Sequence, residues 1–179
     1  MNRVRLSITL FLGVLLAGAL PTARIAGRVP QPESRLRLFH THTGEHLDVV
    51  YRRGDSYVPE ALAQLDRFLR DHRTQEIHHF DPHVFDLLSD VTSAVGRPGA
   101  EFQIICGYRT PWSNEYLRTQ TSGVAKNSLH TRAEAIDIRL PGTPLVKFRD
   151  AALALHRGGV GFYPASGFIH LDVGRVRRW

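Results

Sequence analysis

Residues 127–139 have the sequence Asn-Ser-Leu-His-Thr-Arg-Ala-Glu-Ala-Ile-Asp-Ile-Arg, and both the fold and the candidate site depend on this stretch. From Ala135 to Leu140, apolar and polar residues alternate, which is typical of a β-strand with one buried face. Asp137 therefore points away from the buried side. His130 precedes Asp137 by seven positions and has the opposite parity. We therefore expect His130 to approach from the loop before the strand.

A second stretch, Phe-Ile-His-Leu-Asp-Val at residues 168–173, alternates in the same way. Ile169, Leu171 and Val173 share one face, and His170 and Asp172 share the other. If the two strands pair with their apolar faces toward the helices, these side chains project from the same side as Asp137. Together with His130 they provide two histidines and an aspartate, a set suited to a catalytic zinc that keeps its fourth position for water. Because the chain has ten histidines, a chance grouping is the alternative at this point.

The remaining pattern predicts an α+β fold with a small antiparallel sheet, flanking helices and the zinc site on the polar face of the sheet. Helices and strands are mixed without a repeating βαβ order, and no internal repeat occurs. The predicted strands cover 36–39, 46–51, 102–106, 135–140, 160–163 and 168–173, and the predicted helices begin near Pro59, Asp81, Thr110 and Thr143.

The N-terminal sequence predicts that the protein is exported. Residues 1–20 combine a basic start with an apolar run and a small-residue cleavage site at Ala17-Gly18-Ala19, as in a signal peptide. An uncleaved anchor is the alternative, although the apolar run is short compared with the ~20 residues of a membrane span. Residues 21–35 are predicted to be a linker and residues 36–179 the peptidase domain. The single cysteine, Cys106, excludes an internal disulfide and is interpreted as a buried small hydrophobic residue.

The chain is basic, with a net charge of +6 and an isoelectric point near 10.1. A basic surface favours anionic partners such as cell-wall polymer, lipid head groups or nucleic acid. Only two lysines occur, and no basic block is interleaved with aromatic residues, so we do not expect nucleic-acid binding. Membrane contact is expected only through a retained N-terminal segment, and the sequence does not predict an oligomeric state.

Several motifs together resemble a known family. They are Ser128-x-His130 with Asp137, the segment Gly158-Gly159-Val160-Gly161-Phe162-Tyr163-Pro164, the segment Phe168–Asp172, and Gly107-Tyr108-Arg109 upstream. They resemble the D-Ala-D-Ala carboxypeptidase-like zinc peptidases, of the superfamily that contains lysostaphin-type enzymes and sonic hedgehog. Within it the chain is similar to exported murein endopeptidases of the MepK type from Gram-negative bacteria. The resemblance covers nearly all of the chain after the leader.

The resemblance implies a set of site residues. Zinc is expected on His130, Asp137 and His170. Arg109 is similar to the family arginine that stabilises a developing oxyanion or anchors a substrate carboxylate, roles that suit its fixed pair of donors.

The proton-transfer partner is a separate question. Asp172 is the candidate general base, and its alternative role is to orient a ligand histidine. Glu134 is a weaker candidate because it lies on the opposite strand face from Asp137. Two positions in this part of the site differ from the relatives. Gly167 stands where several relatives carry an acidic residue, and Ala133 stands where many relatives have glycine.

The implied activity is metal-assisted hydrolysis of peptide crosslinks between peptidoglycan stem peptides, in the periplasm of a Gram-negative bacterium. The expected bond is D-Ala–meso-diaminopimelate, with diaminopimelate–diaminopimelate as the second bond. The alternatives are a D,D- or L,D-carboxypeptidase that trims stem peptides, and a non-catalytic wall-binding module that contains zinc.

Overall fold

A computed structural model describes residues 31–179. The predicted leader, residues 1–20, and residues 21–30 of the predicted linker lie outside the described residues. Within the described part, none of the helices combines the length and the apolar character needed to cross a bilayer.

The described residues form eight β-strands, four α-helices and one 3₁₀ helix. The strands are β1 (Glu33–His40), β2 (His46–Arg53), β3 (Ser56–Tyr57), β4 (Glu101–Cys106), β5 (Ala135–Arg139), β6 (Gly159–Tyr163), β7 (Phe168–Asp172) and β8 (Arg177–Arg178). The helices are α1 (Pro59–Phe68), α2 (His83–Ala94), α3 (Pro111–Gln120) and α4 (Leu145–Ala154), and the 3₁₀ helix covers Leu129–Arg132. The predicted α+β class is confirmed.

The sheet differs from the predicted one in size and in strand direction. All eight strands of the described chain join in one sheet, in the order β3-β2-β1-β4-β5-β7-β6-β8, so the expectation of a small sheet is wrong. Two pairings, β1 with β4 and β6 with β8, are parallel, and the others are antiparallel. The β1–β4 pairing is parallel because α1 and α2 lie between these strands and carry the chain back across the sheet.

Strand β1 also starts earlier than predicted, inside the segment that was expected to be linker. Glu33 pairs in register with Arg53 of β2, and their side chains form an ion pair at 3.0 Å. Residues 33–35 therefore belong to the sheet, because β2 is long enough to pair with them.

One face of the central strands carries the core. The alternating residues of β5 and β7 are fully buried, as the pattern predicts: Ile136, Ile138, Ile169 and Leu171. Helices α1, α2 and α4 contact β2, β1 and the β6–β7 pair, respectively. Each fully buried side chain of this size contributes roughly 1.5–3 kcal/mol. The opposite face of β5 and β7 is thereby left to polar side chains.

The N-terminus of α3 is fixed beside that polar face. The hydroxyl of Thr110 accepts a hydrogen bond from the Ser113 amide at 3.1 Å and donates one to the buried carboxylate of Asp71 at 2.9 Å. Pro111 occupies the first helical turn, so the cap predicted from Thr110 and Pro111 is confirmed. This anchoring holds the preceding residue, Arg109, in place.

Candidate metal centre

The strand register brings two of the predicted ligands side by side. Asp137 on β5 lies directly opposite His170 on β7, which confirms the parity argument. His130 comes from the 3₁₀ helix rather than from an irregular loop, and Ser128 caps this helix by accepting a bond from the His130 amide at 3.4 Å. At the other end Ala133 adopts a left-handed conformation with φ of 53°, a region of backbone conformation that favours glycine.

Three ligand-type atoms converge at one point. His130 Nε2 lies 3.1 Å from His170 Nδ1 and 3.2 Å from Asp137 Oδ1, and His170 Nδ1 lies 2.8 Å from the same Asp137 oxygen. Ligands 2.0–2.2 Å from a tetrahedral zinc are roughly 3.3 Å apart, so a small outward adjustment would accommodate the ion. The donor set, two imidazole nitrogens and one carboxylate oxygen, is also one that zinc prefers.

The other nitrogen of each histidine is already engaged. His130 Nδ1 lies 2.8 Å from the carbonyl oxygen of Gly107, and His170 Nε2 lies 3.0 Å from Asp172 Oδ2. Since a carbonyl or carboxylate oxygen only accepts, the N–H of each ring points to these partners. When a metal ion replaces the proton shared with Asp137, the nitrogens that face the centre offer their lone pairs, which is the arrangement found in metal-ligating histidines.

Asp172 is fully buried and its two oxygens are surrounded by donors. Arg177 donates to both of them at 2.9 and 2.7 Å, and the amides of Gly159 and Gly174 donate at 3.0 and 2.9 Å. Burial alone would raise the pKa of Asp172, but the bonds from His170 and Arg177 outweigh it and hold that pKa well below its ordinary value. The residue is therefore a fixed anion behind His170.

Arg109 lies on the other side of Asp137 and is 8% exposed. One terminal nitrogen donates to Asn114 Oδ1 at 3.2 Å, and the other lies 3.4 Å from Cys106 Sγ and 3.8 Å from Asp137 Oδ2. Its Nε is buried without a partner among the described residues. Each terminal nitrogen carries two N–H groups, so the guanidinium keeps donor capacity for an anionic group in the cleft that Arg109 lines.

Cys106 is the residue at this centre that the sequence interpretation missed. Its sulfur and the ligand-type atoms of His130 and Asp137 all lie within 4.8 Å of one another. A register shift between Ile104 and Cys106 places the cysteine opposite Asp137. The atoms of His130, Asp137 and His170 approach more closely, within 3.2 Å, and both histidines have outer partners. That trio is therefore the better candidate ligand set, and Cys106 lies beside it.

The carboxylate of Asp137 holds a proton on the buried imidazole of His130. Burial lowers the pKa of His130, but the charge of Asp137 and the proximity of Cys106 outweigh this and raise it to about 10. Burial likewise opposes ionisation of Asp137, yet His130 and His170 hold its pKa far below the ordinary value. An ion bound here would take the place of the proton between these groups.

A cleft of about 440 Å³ opens over the centre. The indole of Trp179 forms part of its wall, with its ring centroid 5.3 Å from that of His170 and its Nε1 donating to the Tyr163 hydroxyl at 2.8 Å. A Cβ at position 161 would lie 2.8 Å from this indole, so Gly161 leaves the space it needs. Residues 121–125 and 127–129, together with Ser166, Phe168 and Arg177, complete the lining.

Comparisons with known proteins identify the family of the chain. A family model described as "Peptidoglycan L,D-endopeptidase MepK" matches residues 29–179. The peptidoglycan L,D-endopeptidase MepK of Escherichia coli K12 is 41% identical over 169 residues, which cover 93% of this chain and 92% of the relative. A probable MepK of Haemophilus influenzae is 39% identical over 168 residues, covering 93% and 90%, respectively. No solved structure matches the chain. The chain therefore belongs to the MepK family of peptidoglycan L,D-endopeptidases.

Proposed function

We propose that this peptidoglycan endopeptidase is zinc-dependent, with His130, Asp137 and His170 as the ligands. The observation that carries the proposal is the convergence of their three ligand atoms within 3.2 Å, with the remaining nitrogen of each histidine bound to an acceptor. Bound zinc would polarise the scissile carbonyl and lower the pKa of a water molecule in its fourth position to about 7.

The bond that we propose is the diaminopimelate–diaminopimelate crosslink. The relatives are named L,D-endopeptidases, and in this crosslink an L-centre carbonyl is joined to an amine on a D-centre. The D-Ala–diaminopimelate bond starts from a D-centre carbonyl, so it is a D,D bond and becomes the second candidate. The proposed location is the periplasm, to which the signal-like residues 1–20 would direct the chain.

Arg109 is proposed to bind the developing negative charge of the scissile carbonyl or a substrate carboxylate. It lines the cleft, and a terminal nitrogen lies 3.8 Å from the ligand Asp137. A cation held beside a metal centre in a largely buried cleft stabilises such charge more strongly than it would in water.

Asp172 is proposed to position His170 rather than to act as the general base. It does not line the cleft, and its oxygens are occupied by Arg177, two backbone amides and His170. Glu134 is likewise outside the cleft, paired with Arg132. Among the described residues that line the cleft, Asp137 is the only carboxylate. The proton acceptor is therefore not an independent aspartate or glutamate of the described cleft.

The Asp172→Asn variant distinguishes positioning from base catalysis. If Asp172 orients His170, zinc affinity and cleavage should both fall about 10- to 100-fold, because the outer partner of a ligand contributes this much. The measurements are zinc affinity by competition with a chromophoric chelator and kcat/KM on a crosslinked muropeptide. Asp150→Asn, on an exposed residue of α4, is the matched control and should change neither quantity. Unaltered zinc affinity with a large loss of kcat would instead assign the general-base role to Asp172.

The product test examines the activity itself. Purified murein containing both kinds of crosslink is digested with the zinc-loaded protein, and the products are identified by mass. We expect diaminopimelate-linked dimers to fall to monomers first, and chelation to stop the reaction. Shortened monomers without loss of dimers would indicate a carboxypeptidase, and tight murein binding without turnover at any zinc loading would indicate a wall-binding module.

A further inference from the structure

Helix α3 has an unusual distribution of side chains. Its buried residues include two small polar ones, Ser113 and Asn114, whereas Trp112 and Tyr116 are 61% and 45% exposed. Large aromatic side chains usually contribute their area to a core, so leaving two of them in solvent on one helix calls for a reason. Their spacing of four residues places them on the same face of the helix.

The two rings are stacked on each other and together form one exposed aromatic surface. Their planes are parallel to within 9° and their centroids are 5.6 Å apart. The guanidinium of the exposed residue Arg73 lies over the Tyr116 ring, 5.9 Å from its centre, and adds hydrogen-bond donors to this surface. Exposed aromatic rings with hydrogen-bond donors beside them suit sugar rings, which present apolar C–H faces and hydroxyl or carboxylate groups around them.

The same helix is joined to the catalytic centre. Asn114, on the inner side of α3, accepts from Arg109 at 3.2 Å and donates to the carbonyl oxygens of Ala125 and Lys126 at 3.1 and 3.3 Å. The aromatic surface is thus fixed relative to the guanidinium and to one wall of the cleft. No flexible segment separates the two, because Trp112 follows Arg109 by three residues.

The distance also fits the substrate. Successive Cα atoms are about 3.8 Å apart, so the Cα atoms of Arg109 and Trp112 are separated by at most about 11 Å. In peptidoglycan the diaminopimelate residue is the third of the stem peptide, and three extended residues span about 10 Å from the sugar that carries them. A crosslink in the cleft therefore keeps its glycan strand within reach of α3.

We propose that the stacked rings of Trp112 and Tyr116, together with Arg73, form a binding platform for the glycan strand of peptidoglycan. This inference rests on the proposed function, because it requires that the cleft binds a peptide crosslink. The glycan strand attached to that crosslink would then lie on the platform beside the cleft. The platform would raise the affinity for crosslinks that are still attached to glycan, and it would not take part in the hydrolysis itself.

The test compares two substrates that contain the same crosslink. One is a crosslinked muropeptide that retains its glycan chains, and the other is the same peptide dimer after an amidase has removed the sugars. For a Trp112→Ala/Tyr116→Ala double variant we expect about a tenfold loss of kcat/KM on the glycan-bearing substrate, from lost aromatic contacts. Cleavage of the sugar-free dimer should not change. Val146→Ala, which removes an exposed apolar side chain on α4, is the matched control and should behave as the wild type on both substrates.

The outcomes separate this proposal from the proposed function. Equal losses on both substrates, no loss on either, or a change of oligomeric state in the double variant would overturn the platform. A wild-type protein that cleaves neither substrate would overturn the proposed activity instead. In that case glycan strands stripped of peptides still test the platform by NMR. They should shift the indole signal of Trp112 more than that of Trp179, and an unshifted Trp112 would exclude glycan binding there.

Discussion

We expect the His170→Ala and Asp137→Ala variants to lose all measurable cleavage of crosslinked murein and to bind zinc at least about a thousandfold more weakly. The outer partner of a ligand contributes 10- to 100-fold to metal affinity, and removing a ligand itself should cost more. Two ligands would remain, with an open coordination that water fills. Asp137→Ala should have the greater effect of the two, since it also removes the anion that His130 and His170 share.

The readouts for these variants are zinc content after dialysis against a chelator buffer and the muropeptide profile of a digest. His46→Ala is the matched control, since this histidine is exposed on β2 and paired with Glu101 of β4. It should retain full zinc content and activity. Circular dichroism shows whether each variant is folded, and Asp137→Asn provides a second variant of nearly unchanged shape. Undiminished cleavage by the ligand variants, or by the wild type after exhaustive chelation, would rule out a metal mechanism.

The sequence predicted those parts of the centre that depend on local alternation. The polar placement of Asp137, His170 and Asp172 follows from the period of two in a strand, and the observed pairing of Asp137 with His170 agrees with it. The cap of α3 is equally local, because Thr110 and Pro111 define it by themselves. The role of the three ligands stays a prediction until zinc is measured.

Features that depend on contacts between residues far apart in the sequence could not be predicted. Cys106 lies beside the candidate ligands only because of the register shift in β4. A bulge of this kind changes the direction of a side chain, and no sequence pattern here predicts it. The burial of Asp172 depends on Arg177, which follows β7 and reaches back to it. The size of the sheet depends on the parallel pairing of β1 with β4, whose strands are separated by two helices.

Arg109→Ala is the second variant for which a large effect is expected. A donor aimed at developing charge contributes about 10²–10³ to the rate, so we expect a loss of that size in kcat/KM with an unchanged zinc content. Whether the loss appears in kcat or in KM identifies the role of Arg109. A fall in kcat alone indicates stabilisation of the oxyanion, whereas a rise in KM alone indicates an anchor for a substrate carboxylate. The assay is steady-state cleavage of a crosslinked muropeptide, monitored by chromatography.

Arg109→Lys and Asn114→Ala separate chemistry from structure. Lysine keeps the positive charge but not the pair of fixed donors, so it should recover only part of the lost activity. Asn114→Ala removes the acceptor of the Arg109 guanidinium and its bonds to residues 125 and 126, while leaving the cation in the cleft. A purely structural role for Arg109 requires Asn114→Ala to lose as much activity as Arg109→Ala. A catalytic role requires Arg109→Ala to be far more damaging at equal thermal stability. We expect this result, because Arg109 lines the cleft and its contact with Asp137, at 3.8 Å, is long.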